Sequence, residues 1–114
     1  MPTRYYISLP DPQKARGSDS AFAFTAQGAD AFAAQFEDAL RSDDLFQRWR
    51  AAQEDPDGVD PALGATDPNA SVRGQQDDLH IDLIVVTSLP GSVFKHRLRL
   101  LAGSHWELRD VSAA

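Results

Sequence analysis

The chain has no cysteine, so it has no disulfides to staple a small secreted fold and no thiolates for zinc ribbons, iron–sulfur clusters or thiol catalysis. Lysine is scarce as well: Lys14 and Lys95 are the only ones, and every other cation is arginine. Glutamate is rare beside aspartate, a bias that points to a GC-rich bacterial genome. With 17 Asp and Glu against 11 Lys and Arg, the formal net charge is −6 and the pI is near 4.8. A field of that sign repels phosphate backbones and anionic lipid, so neither nucleic acid nor a membrane is expected as a partner. Long apolar runs are also missing. The longest aliphatic stretch is Leu83 to Val86, against the ~20 residues a membrane-spanning helix needs. Pro10, Asp11 and Pro12 interrupt the N-terminal segment before a signal-peptide core forms, which predicts a cytoplasmic protein.

What is present suits one folded domain over residues 1–114, because 42% hydrophobic and 25% charged residues match ordinary globular composition. Thr3 to Leu9 alternates Tyr5, Ile7 and Leu9 with Arg4, Tyr6 and Ser8, the period of a half-buried strand. Ser20 to Ala26, with Phe22 and Phe24 two apart, reads as a second strand pairing with the first. Asp30 then suits a helix N-cap, and Phe32, Phe36, Ala39 and Leu40 recur at helical spacing. Ser42 opens a second helix, Asp43 and Asp44 favouring its positive end, with Leu45, Phe46, Trp49 and Ala52 on one side and a hinge near Arg41.

Residues 54–78 carry Pro56, Pro61, Pro68, three glycines and many aspartates without an apolar period. They read as a long acidic surface loop, with a short strand at most around Ser71 to Arg73. Loops of this length are uncommon and usually functional, which makes Asp55, Asp57, Asp60 and Asp67 candidate partner contacts. Asp55, Asp57, Gly58 and Asp60 depart from the ligand spacing of a calcium loop, and no ligand glutamate follows.

Leu79 to Thr87, Val93 to Leu101 and His105 to Val111 read as a three-stranded meander, with Pro90-Gly91 and Ala102-Gly103-Ser104 as its turns. The register that keeps apolar residues together pairs Leu83 with Leu98 and Leu98 with Leu108. It puts Ile81, Leu83 and Val85 on the core face, and Asp82, Arg99 and Glu107 in a charge ladder outside. The predicted fold class is therefore α+β: an antiparallel sheet, made of the C-terminal meander plus the N-terminal strands, packed on one face by two helices. Its architecture is loosely similar to cystatin or NTF2-type cones.

That register also sets His96 opposite Asp110 on the core face. A carboxylate facing an imidazole orients a general acid or base, although the simpler reading is a hydrogen-bonded pair closing the rim of the core. His80 and His105 fall on the outer face and at a hairpin end, so no metal site and no cofactor are expected. Arg41, Arg48 and Arg50 read as solvated while Trp49 points inward, which disfavours base stacking. The leading functional expectation is a non-catalytic protein-binding or accessory module contacting a protein partner. The alternative is a small-molecule pocket protein or modest enzyme of the cone type using His96 and Asp110. A homo-oligomer through an open sheet face bearing Ile84 and Val86 is the third.

Overall fold

The computed structural model describes residues 2–17, 19, 21–25 and 27–114. Strand β1 (Thr3–Leu9) is followed by helices α1 (Ala29–Arg41) and α2 (Asp44–Ala51), then strands β2 (Ser71–Asp77) and β3 (His80–Thr87), helix α3 (Gly91–Ala102) and strand β4 (Glu107–Ala113). The strands form one antiparallel sheet in the order β2-β3-β1-β4. Strands β1 and β2 run parallel with β3 between them, and β3 and β4 run parallel with β1 between them, which is the split βαβ, ferredoxin-like topology with α2 added. The α+β class and the antiparallel sheet stand as expected, and the cone does not.

Side-chain alternation decides which sheet face is covered. Tyr5, Ile7 and Leu9 of β1 and Ile81, Leu83 and Val85 of β3 are buried under the helices, in the register Tyr5–Val85, Ile7–Leu83 and Leu9–Ile81. Helix α1 meets them with Phe32, Ala33, Phe36, Ala39 and Leu40, close to the expected stripe. Asp30 lies in its first turn, and Gly28 occupies the cap position. Tyr5 stacks on Phe94 of α3 with ring centroids 4.2 Å apart, and Phe36 tilts against the same ring. Each aromatic or aliphatic side chain buried this fully contributes about 1.5–3 kcal/mol. Helix α2 adds Leu45 and Phe46; Trp49 is half-buried and Ala52 exposed. No helix among the described residues is long and apolar enough to cross a membrane.

Three expectations are overturned. The middle strand of the meander is a helix: Val93, Phe94, Arg97, Leu98, Leu101 and Ala102 are buried at the 3.6-residue period. Because β3 and β4 are parallel, the segment joining them has to cross over rather than turn back. Pro90-Gly91 is accordingly the helix start, with Val93 and Phe94 N–H donating to Pro90 O, and Gly103 at φ 64° ends the helix. The sheet is thus covered by three helices, not two, and Arg99 leaves the charge ladder. Between Ser20 and Ala26, both outside the described residues, the chain makes turns and not a strand. Phe22, Ala23 and Phe24 are all buried, and the Gly17 and Phe24 N–H groups both donate to Leu101 O, which docks this segment on the end of α3.

The acidic stretch is shorter and more ordered than a loop over 54–78. It holds two short 3-10 turns, Pro56–Gly58 and Pro61–Gly64, and then the full strand β2. Strand β2 is polar because only Val72 is buried along it. Its edge is tied to α1, the Glu37 carboxylate accepting from the Val72 N–H at 3.1 Å.

Candidate functional site

The structure does not bring His96 and Asp110 together. His96 projects from α3, on the covered side of the sheet, against the Trp49 ring at 4.5 Å and the Phe46 ring at 6.5 Å. Asp110 is exposed in β4 opposite Tyr6, on the uncovered side, and accepts from the Val111 N–H at 2.9 Å. The expected dyad fails because its register required a strand where α3 stands. Burial, then Arg97 and Arg99, holds the His96 pKa below its usual 6.5, so the imidazole is kept neutral.

The loop aspartates divide by role. Asp55 accepts from the Gly58 N–H at 3.2 Å and Asp60 from the Ala62 N–H at 2.9 Å, each nucleating a 3-10 turn. Asp57 is fully exposed with a loose ion pair to Arg50 at 3.8 Å. Asp67 is 7% exposed, which removes it from any partner surface. Its carboxylate accepts from Thr87 Oγ1 at 2.8 Å and from the N–H groups of Ser88 and Asn69 at 2.9 and 3.0 Å. Asp67 therefore anchors the end of β3.

The surface with the most converging chemistry is the uncovered face of the sheet. Alternation along β1 and β3 puts Arg4, Tyr6 and Ser8 and His80, Asp82, Ile84 and Val86 there. Cross-strand pairing then lines up Arg73–Ile84–Tyr6–Asp110 in one row and Ser71–Val86–Arg4–Ser112 in the next. Tyr6, Ile84 and Val86 are half-buried, so apolar surface stays in contact with solvent. Arg4 and Arg73 border it, and neither takes part in an ion pair among the described residues. A register shift in β4 after Tyr6 brings Arg109 to the rim, where Tyr6, Gln75, His80, Asp82, Ile84 and Arg109 line a groove of about 410 Å³. At its far end Asp77, His80 and Asp82 cluster, their ligand-type atoms all within 4.8 Å of one another. The exposure of Ile84 and Val86 is legible in the strand alternation; the cluster depends on the β2–β3 pairing, which local alternation does not specify.

A second cavity of about 640 Å³ lies between the turn after β1 and the β2–β3 turn, lined by Pro10, Arg16, Gln27, Phe32, Asp78 and Leu79 among others. Its one cation serves the fold: Arg16 donates to Phe24 O at 2.9 Å and covers the Phe32 ring at 4.9 Å.

Compared with protein families, curated proteins and solved structures, the chain matches none.

Proposed function

We propose that the protein is a non-catalytic binding or accessory module that holds a partner protein on the uncovered face of its sheet, the partner presenting aliphatic side chains bordered by carboxylates. One observation carries the reading: Tyr6, Ile84 and Val86 form a contiguous half-exposed strip flanked by Arg4 and Arg73, in a chain that is otherwise strongly acidic. Tyrosine and arginine are the residue types that dominate interface energetics when a partner desolvates them. Two guanidinium groups without ion-pair partners among the described residues select against cationic surfaces and favour carboxylates. The reading moves the contact away from the acidic loop, where Asp55 and Asp60 hold turns and Asp67 is buried.

Mild affinity purification from host lysate with native mass spectrometry of the eluate, run on the parent, Ile84→Asp and Asp57→Ala, tests it. A stoichiometric protein partner retained by the parent and by Asp57→Ala, and reduced at least about tenfold by Ile84→Asp, is expected, since a buried unpaired charge costs several kcal/mol. A partner lost on Asp57→Ala and kept on Ile84→Asp would return the contact to the loop. The same face has an arginine end and an Asp77/Asp82 end, so a second copy rotated by 180° is also complementary to it. A dimer that Ile84→Asp abolishes would assign the face to self-association.

A further inference from the structure

We propose that Asp77, His80 and Asp82 form a binding site for one divalent first-row transition ion, of which zinc is the probe. Backbone geometry builds the cluster. Strands β2 and β3 are joined by the two-residue turn Asp78–Leu79, with Asp78 in the left-handed region at φ 55°, and this turn sets Asp77 directly across from His80. Asp82 follows His80 by two residues and so shares its face of the strand. The Gln76 side chain donates to Asp78 O at 2.9 Å and to His80 O at 3.1 Å, clamping the turn from within. The three side chains therefore come from a paired hairpin, where positions are held more precisely than on a free loop.

The distances favour an ion over direct pairing. His80 Nε2 is 3.6 Å from Asp77 Oδ2 and 3.4 Å from Asp82 Oδ2. An N–H···O hydrogen bond centres near 2.9–3.0 Å, so both contacts are long for one. Two ligands bound about 2.1 Å from a tetrahedral ion stand about 3.4 Å apart, close to the spacing of His80 from each aspartate, and all three ligand atoms lie within 4.8 Å of one another. One imidazole with two carboxylates suits zinc or iron(II), whereas calcium takes six to eight oxygens and magnesium a near-octahedral oxygen shell. Gln75 faces Asp82 across the strands and lines the same groove, so its amide is a further candidate ligand. The side chains of His80 and Asp82 are 36% and 39% exposed, so an ion held there keeps a position open to water or to a ligand in the groove. The rival account is a surface contact of the His80 imidazole with two carboxylates, worth about 0–1 kcal/mol.

The site has its own readout and stands or falls independently of the protein partner. Titration calorimetry of the whole, chelator-treated chain with zinc, together with cobalt(II) absorption spectra, is the test. Saturable binding of one equivalent is expected, with cobalt giving the visible bands of a low-coordinate site and with neither calcium nor magnesium competing. His80→Ala and Asp82→Asn each weaken zinc binding by at least about tenfold, while both variants keep the parent's unfolding midpoint because the residues lie on the surface. Absence of saturable zinc binding by the parent would overturn the proposal, and so would an affinity that His80→Ala leaves unchanged.

Discussion

Arg97 is the largest fully buried side chain among the described residues, and its two terminal nitrogens are satisfied there although Nε has no hydrogen-bond partner. It donates to Ala39 O at 2.5 Å, to Leu63 O at 3.0 Å and to Ala65 O at 2.6 Å, and lies over the Phe46 ring. Ala39 O is one of the last-turn carbonyls of α1, which have no partner within the helix. Burial lowers the Arg97 pKa, and Asp43 opposes that shift. Arg97→Ala removes the donor shared by one buried and two partly buried carbonyl groups and leaves a cavity in the core, and should cost about 3–5 kcal/mol in urea denaturation. Arg97→Lys should recover only part of that, because an ammonium cannot reproduce the planar fork. Asp67 is the anionic counterpart. Burial would raise its pKa, but the donors Ser88, Thr87 and Asn69 outweigh burial and hold it below about 3.8. The unfolded chain therefore takes up this proton first on acidification. The stabilisation from Asp67 is present above pH 3.8 and is lost as the pH falls through the folded value. Asp67→Asn should cost about 1–3 kcal/mol near neutrality, and the gap to the parent should narrow in unfolding curves recorded below pH 4. His96 titrates in the same sense at higher pH. Its folded pKa lies below 6.5, so stability begins to fall as the pH drops past that value, and His96→Phe should flatten the slope of stability against pH below about 6.5.

Among the elements, β2 depends most on its neighbours. It is a polar edge strand with one buried apolar residue, and Gly74 lets it approach α1 closely. A Cβ at Gly74 would lie 2.1 Å from Ala29 O and 2.7 Å from Ala29 C, both backbone atoms that cannot swing aside. Gly74→Ala should therefore force β2 and α1 apart at a cost of about 2–3 kcal/mol, and amide exchange should accelerate first in β2. Helix α3 shows the opposite dependence, since its burial period is strong but also admits a strand. Reading His96, Leu98 and Leu100 as one face leaves Val93 and Leu101 unexplained. Reading Val93, Phe94, Leu98 and Leu101 as one face accounts for both and leaves Arg97 on the core side, where the carbonyls of α1 and the second 3-10 turn meet it.

Taken whole, the chain joins its two halves through one apolar cluster that runs from Tyr5 to Ala102, with Arg97 and Asp67 bridging segments distant in sequence. Unfolding is expected to be a single transition: Trp49, beside His96, and Trp106, whose indole donates to Gly103 O at 3.0 Å, should report the same midpoint in the single-tryptophan variants Trp49→Phe and Trp106→Phe. Separate midpoints would show two independent units. Local pattern alone was enough for β1, which begins and ends at the expected residues. It also served for the buried stripe of α1 and for the inward and outward faces of β3, because periods of two and 3.6 residues are carried by neighbours in the chain. It was enough, too, for the outward placement of Ile84, Val86 and Asp82. Long-range pairing decided the rest. A segment with both periods became a helix because β3 and β4 run parallel and the chain between them has to cross over. The turn chemistry of Pro90-Gly91 and Gly103 serves a helix start and stop as well as it serves hairpins. Which aspartate is buried, which arginine lies in the core, and the meeting of Asp77, His80 and Asp82 on one hairpin face all depend on contacts between residues whose identities do not announce one another, and only the folded chain brings those residues within reach.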